Sequence, residues 1–428
     1  MIITNSGYHS FKMVIRNKHK LLSYAFVMTQ GTRRKLSTAR NLLLGVNDND
    51  KFKDVRQSIR SLCAKFPGPY WQELDKNDQY PTDFVEALQK SGFLSILIPE
   101  KYGGSESGLR AATIVLEEIH RSGCNAGAAH AQMYTMGSIL HSGSTEQKER
   151  FLPSLANGSI RLQAFGVTES NSGSDTLSLK TNAKQNANGD WLISGSKIWT
   201  SRAQHSDLML LLARTGDECT PRSKQLTTFL VDMKDQKGLE IKPIKTMMNH
   251  STTMIFLDNV KVPKENIIGG IGEGFQTILR GMNIERVLIA SECIGDGRYF
   301  IDRARQYACE RIVFGRPIGQ NQGVQFPISQ AYCELEAAAM MVAAAAMKFD
   351  LGQHDIGPEA NVSKYLAAEA SFKCGDTCIQ TFGGYGFAKE YDIERKFRET
   401  RLYRVAPIST NLILSYVGEK ILGMPRSY

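Results

Sequence analysis

The spacing of apolar residues changes twice along the chain and divides it into three predicted domains. Over residues 50–162 apolar side chains recur three or four positions apart, which is typical of amphipathic helices. Residues 163–265 carry short runs of β-branched and aromatic residues that end at turn-forming residues, as strands do. Helical spacing returns over residues 266–428. We therefore predict an α+β multidomain fold with an N-terminal helical domain, a central β-barrel-like domain and a C-terminal four-helix bundle.

The individual elements follow from the same patterns. In the first domain, Thr145-Glu146-Gln147-Lys148 predicts a helix start. In the second, Asn188-Gly189-Asp190 predicts a hairpin turn within a barrel or compact sandwich. The predicted strands are residues 191–193, 208–212, 227–231 and 254–257. The predicted helices of the bundle are residues 275–310, 328–349, 360–381 and 410–422.

Glu285 is the polar member of an otherwise apolar helical stripe. The stripe has members three or four positions apart: Phe275, Ile278, Met282, Glu285, Ile289 and Cys293. A carboxylate on a buried helix face loses hydration, so it either pairs with a cation or its pKa rises. A raised pKa suits a general base, whereas a distant Lys or Arg partner would make Glu285 structural. Arg286 is not the expected partner, because adjacent helical side chains do not face each other.

The net charge of +9 belongs almost entirely to the first 47 residues. That segment contains eight of the 52 Lys and Arg residues and no acidic residue, so the remaining basic residues nearly match the 43 acidic ones. A nearly neutral body argues against a nucleic-acid surface. Residues 1–47, rich in Arg, Ser and Thr, are typical of a mitochondrial transit peptide, which predicts the mitochondrial matrix. A secretory signal and a disordered basic tail are the alternatives.

Motifs for other chemistries are absent from the sequence. The eight cysteines are scattered without metal-ligand spacing, so we expect reduced, mostly buried thiols and no metal site. There is no phosphate-binding Gly-Lys-Ser/Thr loop or nucleophile elbow. No apolar run is long enough to span a membrane.

Two segments of the central domain could contact a flat cofactor. Residues 165–175 form a Gly- and Ser-rich loop whose N–H and hydroxyl groups suit a phosphate or a polar ring edge. Trp199 lies beside Thr200 and Ser201, so an indole could cover a ring while a hydroxyl bonds its heteroatom. Taken singly, a polar surface loop and a core tryptophan would explain them as well.

Six ordered blocks together resemble the acyl-CoA dehydrogenase family over about residues 50–428. The blocks are Val167-Thr168-Glu169 with Gly173-Ser174-Asp175, Lys197-Ile198-Trp199, residues 258–263, residues 272–275, Arg311 with Phe314-Gly315 and Gln322, and residues 380–386. The resemblance implies a homotetrameric FAD enzyme that forms a double bond between the α and β carbons of an acyl-CoA thioester. Electron-transferring flavoprotein would then reoxidise the flavin.

The resemblance also implies site residues in this chain. Contacts to FAD within one subunit are implied for Phe165, Val167, Thr168, Gly173, Ser174, Trp199, Thr200, Ser201 and Ser409. Contacts to the FAD of a neighbouring subunit are implied for Arg311, Phe314, Gln322, Gln380, Gly383 and Gly384. The CoA part of the substrate is implied to lie near Ser174, Asn283 and Arg286.

The position of the base differs from most of the family. Many members carry the catalytic Glu near the C-terminus, where this chain has Pro407, and proline cannot abstract a proton. A branch that includes isovaleryl-CoA and long-chain acyl-CoA dehydrogenases places its Glu on the long helix, at the position of Glu285. The resemblance therefore implies Glu285 as the base. Pro407 also lacks the N–H that would bind the thioester oxygen, so Ile408 or a cofactor hydroxyl would take that role.

Other functions remain open from the sequence. The residues Gly270-Ile271-Gly272-Glu273-Gly274-Phe275 suggest a nicotinamide-binding loop, but the third glycine of that motif is replaced by Phe275 and no βαβ unit follows. A flavin oxidase or monooxygenase with the same fold is a second alternative. A catalytically silent flavin- or CoA-binding scaffold is a third.

Overall fold

The computed structural model describes residues 51–427, and the predicted transit peptide at residues 1–47 lies outside them. The chain divides into two units, Met1–Asp54 and Val55–Tyr428, and the second contains the elements that form the site. Within residues 51–427, no helix combines the length and apolar character needed to cross a membrane.

The N-terminal part of the described chain is helical, as predicted. Its helices are α1 (Lys53–Cys63), α2 (Gly68–Lys76), α3 (Thr82–Lys90), α4 (Gly108–Arg121), α5 (Gly127–Ser142) and α6 (Thr145–Asn157). The expected helix start is confirmed at α6, where Ser144 and Gln147 cap each other's backbone N–H groups. Helices α4 and α5 are almost entirely buried and pack against the long helix described below.

The central part is a sheet with an open strand path. Its strands are β1 (Leu162–Gly166), β2 (Asn182–Gln185), β3 (Trp191–Ser201), β4 (Leu208–Arg214), β5 (Leu226–Asp232), β6 (Leu239–Pro243), β7 (Thr252–Val262) and β8 (Ile267–Ile268). They lie in the order β6-β7-β3-β2-β4-β5-β8, with β1 parallel to β4. The predicted hairpin is confirmed between β2 and β3. The predicted barrel-like closure is wrong for the described residues, since β6 and β8 end the path without pairing with each other.

The C-terminal part is helical, but it is not a bundle of four long helices. Its elements are α7 (Gly274–Glu310), β9 (Ile312–Val313), β10 (Arg316–Pro317), α8 (Gln322–Asp350), α9 (Gly357–Phe382), α10 (Ile393–Tyr403) and α11 (Thr410–Tyr416). Three of the predicted helices are long, and the fourth is a short α-helix that continues as a π-helical turn over Val417–Ile421. Helix α10 was not predicted. The α+β class with helical, sheet and helical parts is confirmed.

Helix α7 is the central rod of the described chain. Its 37 residues extend about 55 Å at the usual helical rise, and α4, α5, α8 and α9 all pack against it. Two glycines permit the closest approaches, because a Cβ at Gly295 would collide with the Glu117 carbonyl on α4 and a Cβ at Gly297 with Leu335 on α8. Side chains on α7 are therefore held at fixed positions relative to the neighbouring helices.

Candidate active site

Glu285 lies in the middle of α7 with its carboxylate in a buried environment. Its side chain is 5% exposed, and no group within residues 51–427 forms a hydrogen bond or ion pair with it. Burial raises the pKa of Glu285 to about 7, although the charges of His130, Arg286 and Lys364 act in the opposite direction. A carboxylate with this pKa exchanges protons readily near neutral pH.

The two nearest cations bind other groups. Arg286 Nη1 donates to Asn283 Oδ1 at 2.7 Å. Lys364 Nζ donates to the carbonyl oxygens of Tyr403 and Ile408, at 2.5 and 2.7 Å. The alternative in which Lys or Arg neutralises Glu285 is therefore absent from the described structure.

The two segments expected to contact a cofactor lie side by side. Ile198 N donates to Thr168 O at 2.9 Å, which joins β3 to the loop that follows β1. Lys197 Nζ is fully buried beneath that loop and donates to Val167 O at 3.1 Å and to Glu169 Oε1 at 2.9 Å. Burial lowers the pKa of Lys197 to about 8, while Glu169 counteracts the shift. The two hydrogen bonds of the buried Lys197 ammonium thus hold the loop in place on β3.

Trp199 lies on a bulge that turns its indole away from the sheet. The pairing of β3 with β7 shifts register between Lys197 and Thr200. Trp199 has φ of 63° and is 57% exposed. An exposed indole in left-handed backbone is uncommon and marks a position worth explaining by function. Thr200 is buried on the sheet side, and Ser201 is half-buried.

The polar groups around Trp199 lack protein partners. Among residues 51–427, nothing hydrogen-bonds the hydroxyls of Thr168 and Ser201 or the indole N–H of Trp199, and the Thr200 hydroxyl is buried without a partner. Gly173 lies next to the Thr168 methyl group. Unpartnered hydroxyls beside an exposed aromatic face suit a flat heterocycle with ring nitrogens and carbonyl oxygens, and isoalloxazine has those features.

One apolar cluster joins this surface to the Glu285 helix. Phe165 and Val167 from the loop pack against the same buried residues as Phe275 and Met282 from α7. The ring of Phe165 also contacts Tyr134 on α5, with centroids 5.5 Å apart. The loop beside Trp199 and the helix that carries Glu285 therefore share one apolar cluster.

Family models match nearly all of the described chain. The N-terminal, middle and C-terminal domains of acyl-CoA dehydrogenase match residues 49–159, 164–260 and 272–421. The acyl-CoA dehydrogenase FadE12 of Mycobacterium tuberculosis is 31% identical over 386 residues, which cover 89% of this chain and 98% of that protein.

This chain belongs to the acyl-CoA dehydrogenase family. Members are flavin oxidoreductases with FAD as cofactor, and the residues around Trp199 fit that group. Two solved structures have the same fold, each with a TM-score of 0.82 and a match over 88% of this chain. A glutaryl-CoA dehydrogenase in complex with glutaryl-CoA is 30% identical over 96% of its chain. A chain in a structure of the electron transferring flavoprotein of Acidaminococcus fermentans is 26% identical over 98% of its length.

A second group of expected cofactor residues of this acyl-CoA dehydrogenase lies far from Glu285. All six are exposed on the C-terminal part of the chain: Arg311, Phe314, Gln322, Gln380, Gly383 and Gly384. Arg311 follows the last residue of α7, about 39 Å along that helix from Glu285. The guanidinium of Arg311 lies 5.9 Å from the centre of the Tyr385 ring, which keeps the two ends of the group together. Within residues 51–427, no hydrogen bond, ion pair or ring contact joins this group to Trp199.

The C-terminal segment expected to lie near the cofactor is held by Lys364. Because its Nζ binds the carbonyls of Tyr403 and Ile408, it fixes both sides of Pro407. The Ser409 hydroxyl accepts a hydrogen bond from Leu412 N at 3.3 Å and caps α11. The structure thus gives Ser409 a local role in addition to the cofactor contact expected from the sequence.

A buried ion cluster joins three helices near the site. His120 Nδ1 lies 3.0 Å from Asp296 Oδ1, and Lys396 Nζ lies 2.5 Å from Asp296 and 2.6 Å from Glu399. His120, Asp296 and Glu399 are close enough to hold a metal ion. The Lys396 ammonium already neutralises these carboxylates, so the cluster serves as an internal salt bridge. Tyr403 completes it by donating to Asp296 Oδ2 at 2.8 Å.

Three site residues were missed in the sequence. Tyr134 and His130 on α5 face the Glu285 side of α7, and Glu292 lies two turns beyond Glu285 on the same helix. His130 and Tyr134 lie four positions apart on α5, so they are polar members of one helix face, as Glu285 is in α7. Whether these residues belong to the site depends on which helices pack together, and the periodicity of the sequence does not determine that.

Proposed function

We propose that this acyl-CoA dehydrogenase converts an acyl-CoA thioester to the trans-2-enoyl-CoA, with Glu285 as the base that removes the pro-R α-proton. The supporting observation is the buried Glu285 carboxylate without a hydrogen-bond or ion-pair partner among residues 51–427. Bound FAD would accept the β-hydride at its N5 atom. Val167, Thr168, Trp199 and Ser201 would hold the flavin ring, and Gly173 and Ser174 the adjacent pyrophosphate.

The residues of the chain supply the proton chemistry and the dry environment. Ionised Glu285 takes the proton from the α carbon, and its raised pKa makes it a stronger base than an exposed carboxylate. Phe165, Val167 and Met282 exclude water from the carboxylate, which strengthens its interaction with charge in the transition state. Arg286, held by Asn283, carries positive charge toward the CoA moiety.

The reaction rate should depend on the ionisation of Glu285. Because burial raises the pKa of Glu285 to about 7, the residue is protonated and inactive in acid and ionised and active in base. We expect the rate of flavin reduction at saturating acyl-CoA to rise through about pH 7 and to level off above it. Anaerobic stopped-flow absorbance of the oxidised flavin across this range measures the rate. A rate independent of pH around neutrality would contradict the assignment.

The activity itself is tested by anaerobic bleaching of the purified yellow protein. A panel of straight-chain, branched and dicarboxylic acyl-CoAs identifies the acyl chain that the enzyme accepts, because the described residues do not define it. Loss of the flavin absorbance with at least one thioester supports the proposal. If the protein binds flavin but no acyl-CoA of the panel reduces the flavin absorbance, the protein is a catalytically silent flavin-binding scaffold. Fast reoxidation by oxygen would favour a flavin oxidase, whereas dependence on electron-transferring flavoprotein would support a dehydrogenase.

We infer that the site is completed by assembly into a homotetramer. Arg311 lies about 39 Å along α7 from Glu285, and the other five of the six exposed residues lie in the same C-terminal part of the chain. Phe314 is fully exposed at the tip of the β9–β10 hairpin, and Phe387 is 76% exposed. Exposed aromatic residues of this size are typical of protein interfaces.

Phe314→Asp should weaken both assembly and flavin retention. A carboxylate cannot be buried in an apolar interface without a large desolvation cost. We expect a larger fraction of smaller species in sedimentation velocity and a lower FAD-to-protein ratio after gel filtration. Lys242→Asp, at an exposed position of β6, should change neither. Full assembly and full flavin content in Phe314→Asp would contradict the inference.

The mitochondrial matrix and electron-transferring flavoprotein as acceptor remain predictions. Residues 1–47, which carry the targeting pattern, lie outside the described residues. Import of the full chain into isolated mitochondria, followed by N-terminal sequencing of the matrix form, tests the location.

A further inference from the structure

Helices α5 and α7 run antiparallel. Ser142 lies beside Gly269, just before α7, and Ser138 lies beside Gly281. Farther along the pair, His130 contacts Glu292. One turn beyond Gly281, this arrangement brings Glu285 opposite Tyr134. The charge of Glu285 accordingly adds to burial in raising the pKa of Tyr134.

His130 lies between two carboxylates of α7. By the same arrangement it stands opposite the turn that contains Ile289, about one turn from Glu285 and one turn from Glu292. Its Nδ1 is 3.0 Å from Glu292 Oε1, and its side chain is almost fully buried. Its Nε2 is buried with no hydrogen-bond partner among residues 51–427. Nδ1 therefore lies within ion-pair distance of a carboxylate oxygen that has no regular hydrogen bond within residues 51–427, whereas Nε2 has no polar partner there.

The contact with Glu292 determines which nitrogen carries the proton. An ionised carboxylate carries only acceptor lone pairs, so the 3.0 Å contact with Glu292 favours the tautomer with its proton on Nδ1. In the neutral ring, Nε2 then carries a lone pair and needs a donor. A buried acceptor without a donor is unfavourable, which indicates that a donor arrives at another stage of the reaction.

Several charged donors of this region already have acceptors, although Arg286 Nε and Gln132 Nε2 are buried without a hydrogen-bond partner within residues 51–427. Arg202 Nη2 contacts His250 Nδ1 at 3.2 Å, and Lys364 and Arg286 bind the groups described above. His120 uses Nε2 to accept from Ala126 N and Nδ1 to contact Asp296. The Tyr134 ring contacts the His130 ring, with centroids 5.1 Å apart, and the charge of His130 acts on Glu285. Glu285 becomes a donor only when it is protonated.

We propose that His130, anchored by Glu292, is a positioning residue that accepts a hydrogen bond from Glu285 once Glu285 has taken the α-proton. This inference rests on the proposed function. The Cα–H bond of the substrate breaks, its proton bonds to a Glu285 oxygen, and that O–H donates to His130 Nε2. Ionised Glu285 has no proton to donate, which agrees with the unpartnered Nε2. The hydrogen bond exists only after proton transfer, so it favours the transfer over the ground state.

The test uses the holoenzyme and variants that remove the acceptor. His130→Leu alone would leave Glu292 buried without a partner, so the double variant His130→Leu/Glu292→Leu removes both polar groups together. His130→Gln retains an amide oxygen that can accept the hydrogen bond. His141→Leu, on α5 but far from Glu285, is the matched control. FAD content and the flavin spectrum report folding of each variant.

We expect the double variant to reduce its flavin at least about tenfold more slowly at saturating acyl-CoA, with unchanged affinity for the thioester. The rise in rate with pH should move to lower pH, because protonated Glu285 loses its hydrogen bond. His130→Gln should restore most of the rate and the original pH dependence. His141→Leu should match the wild type in both, and Tyr134→Phe should lose less rate than the double variant.

Three results would overturn the inference. The first is an unchanged rate and pH dependence in the double variant. The second is a double variant whose rate of flavin reduction rises at higher pH than that of the wild type, which would mean that His130 is an imidazolium in the resting enzyme. The third is a loss in Tyr134→Phe equal to that in the double variant, which would identify the phenol as the partner. If the double variant does not fold, an unchanged pH dependence in His130→Gln/Glu292→Gln supports the inference, and a shifted one overturns it. A wild-type enzyme that no acyl-CoA bleaches would instead reject the proposed function.

Discussion

In Glu285→Gln, acyl-CoA should reduce the bound flavin between about 10² and 10⁴ times more slowly than in the wild type. The amide has almost the same shape as the carboxylate but cannot accept a proton from carbon. Because Glu285 has no hydrogen-bond or ion-pair partner among residues 51–427, the substitution breaks no existing hydrogen bond or ion pair. We therefore expect normal FAD content and thermal stability, measured on the same preparation as the anaerobic reduction rate.

The matched control for this change is Glu149→Gln. Glu149 is exposed on α6, so the same substitution there should leave the reduction rate unchanged. Substrate binding should survive in Glu285→Gln and be visible as a perturbation of the flavin spectrum without bleaching. Rapid bleaching of Glu285→Gln by any thioester would assign the base to another residue.

Lys396→Met should cost the enzyme about 3–5 kcal/mol of unfolding free energy. The Lys396 ammonium is fully buried and neutralises both Asp296 and Glu399. Burial favours a neutral Asp296, but Lys396 and His120 reverse that effect and lower the pKa of Asp296 to about 2. Without Lys396, Asp296 and Glu399 lose the ammonium that bridges them in a buried region, although Glu399 keeps its ion pair with Arg395 at 3.0 Å. Denaturant titration of the holoenzyme at a fixed protein concentration measures the loss.

Lys242→Met provides the comparison for the second change. Lys242 forms an exposed ion pair with Glu240 at 3.1 Å, and exposed pairs contribute only about 0–1 kcal/mol. If both Met variants lost the same small amount of unfolding free energy, the buried cluster would not stabilise the protein as proposed. Addition of acid should reduce the difference between wild type and Lys396→Met, since protonated carboxyls no longer need the ammonium.

The fold was predictable from the sequence wherever apolar spacing reflects burial. The strongly periodic helices α7, α8 and α9 and the central strands were found for that reason. Helix α10 was missed because the middle of its buried face consists of Arg395, Lys396 and Glu399, with the buried Ile393 and Tyr403 only at its two ends. Strand β6 was missed because it is an edge strand without a buried face. The spacing of apolar residues also does not determine which strands pair, so the open sheet could not be distinguished from a barrel.

The candidate site was predictable only in part. The stripe that contains Glu285 and the two segments around Thr168 and Trp199 could be read from local pattern. The bulge at Trp199 could not, because it depends on the register between β3 and β7. His130 and Glu292 meet across two helices that lie far apart in sequence. Interactions of that kind arise from packing and have no local signature.

The length of α7 between Glu285 and Arg311 carries a geometric constraint. One uninterrupted helix holds the base at one point and presents Arg311 to solvent immediately after its last turn. Each residue of an α-helix rotates the chain by about 100°. An insertion of one residue in this interval would therefore swing Arg311 to another side of the rod while Glu285 stayed in place. Only insertions close to whole helical turns would keep both side chains in phase, and even these would displace Arg311 along the axis.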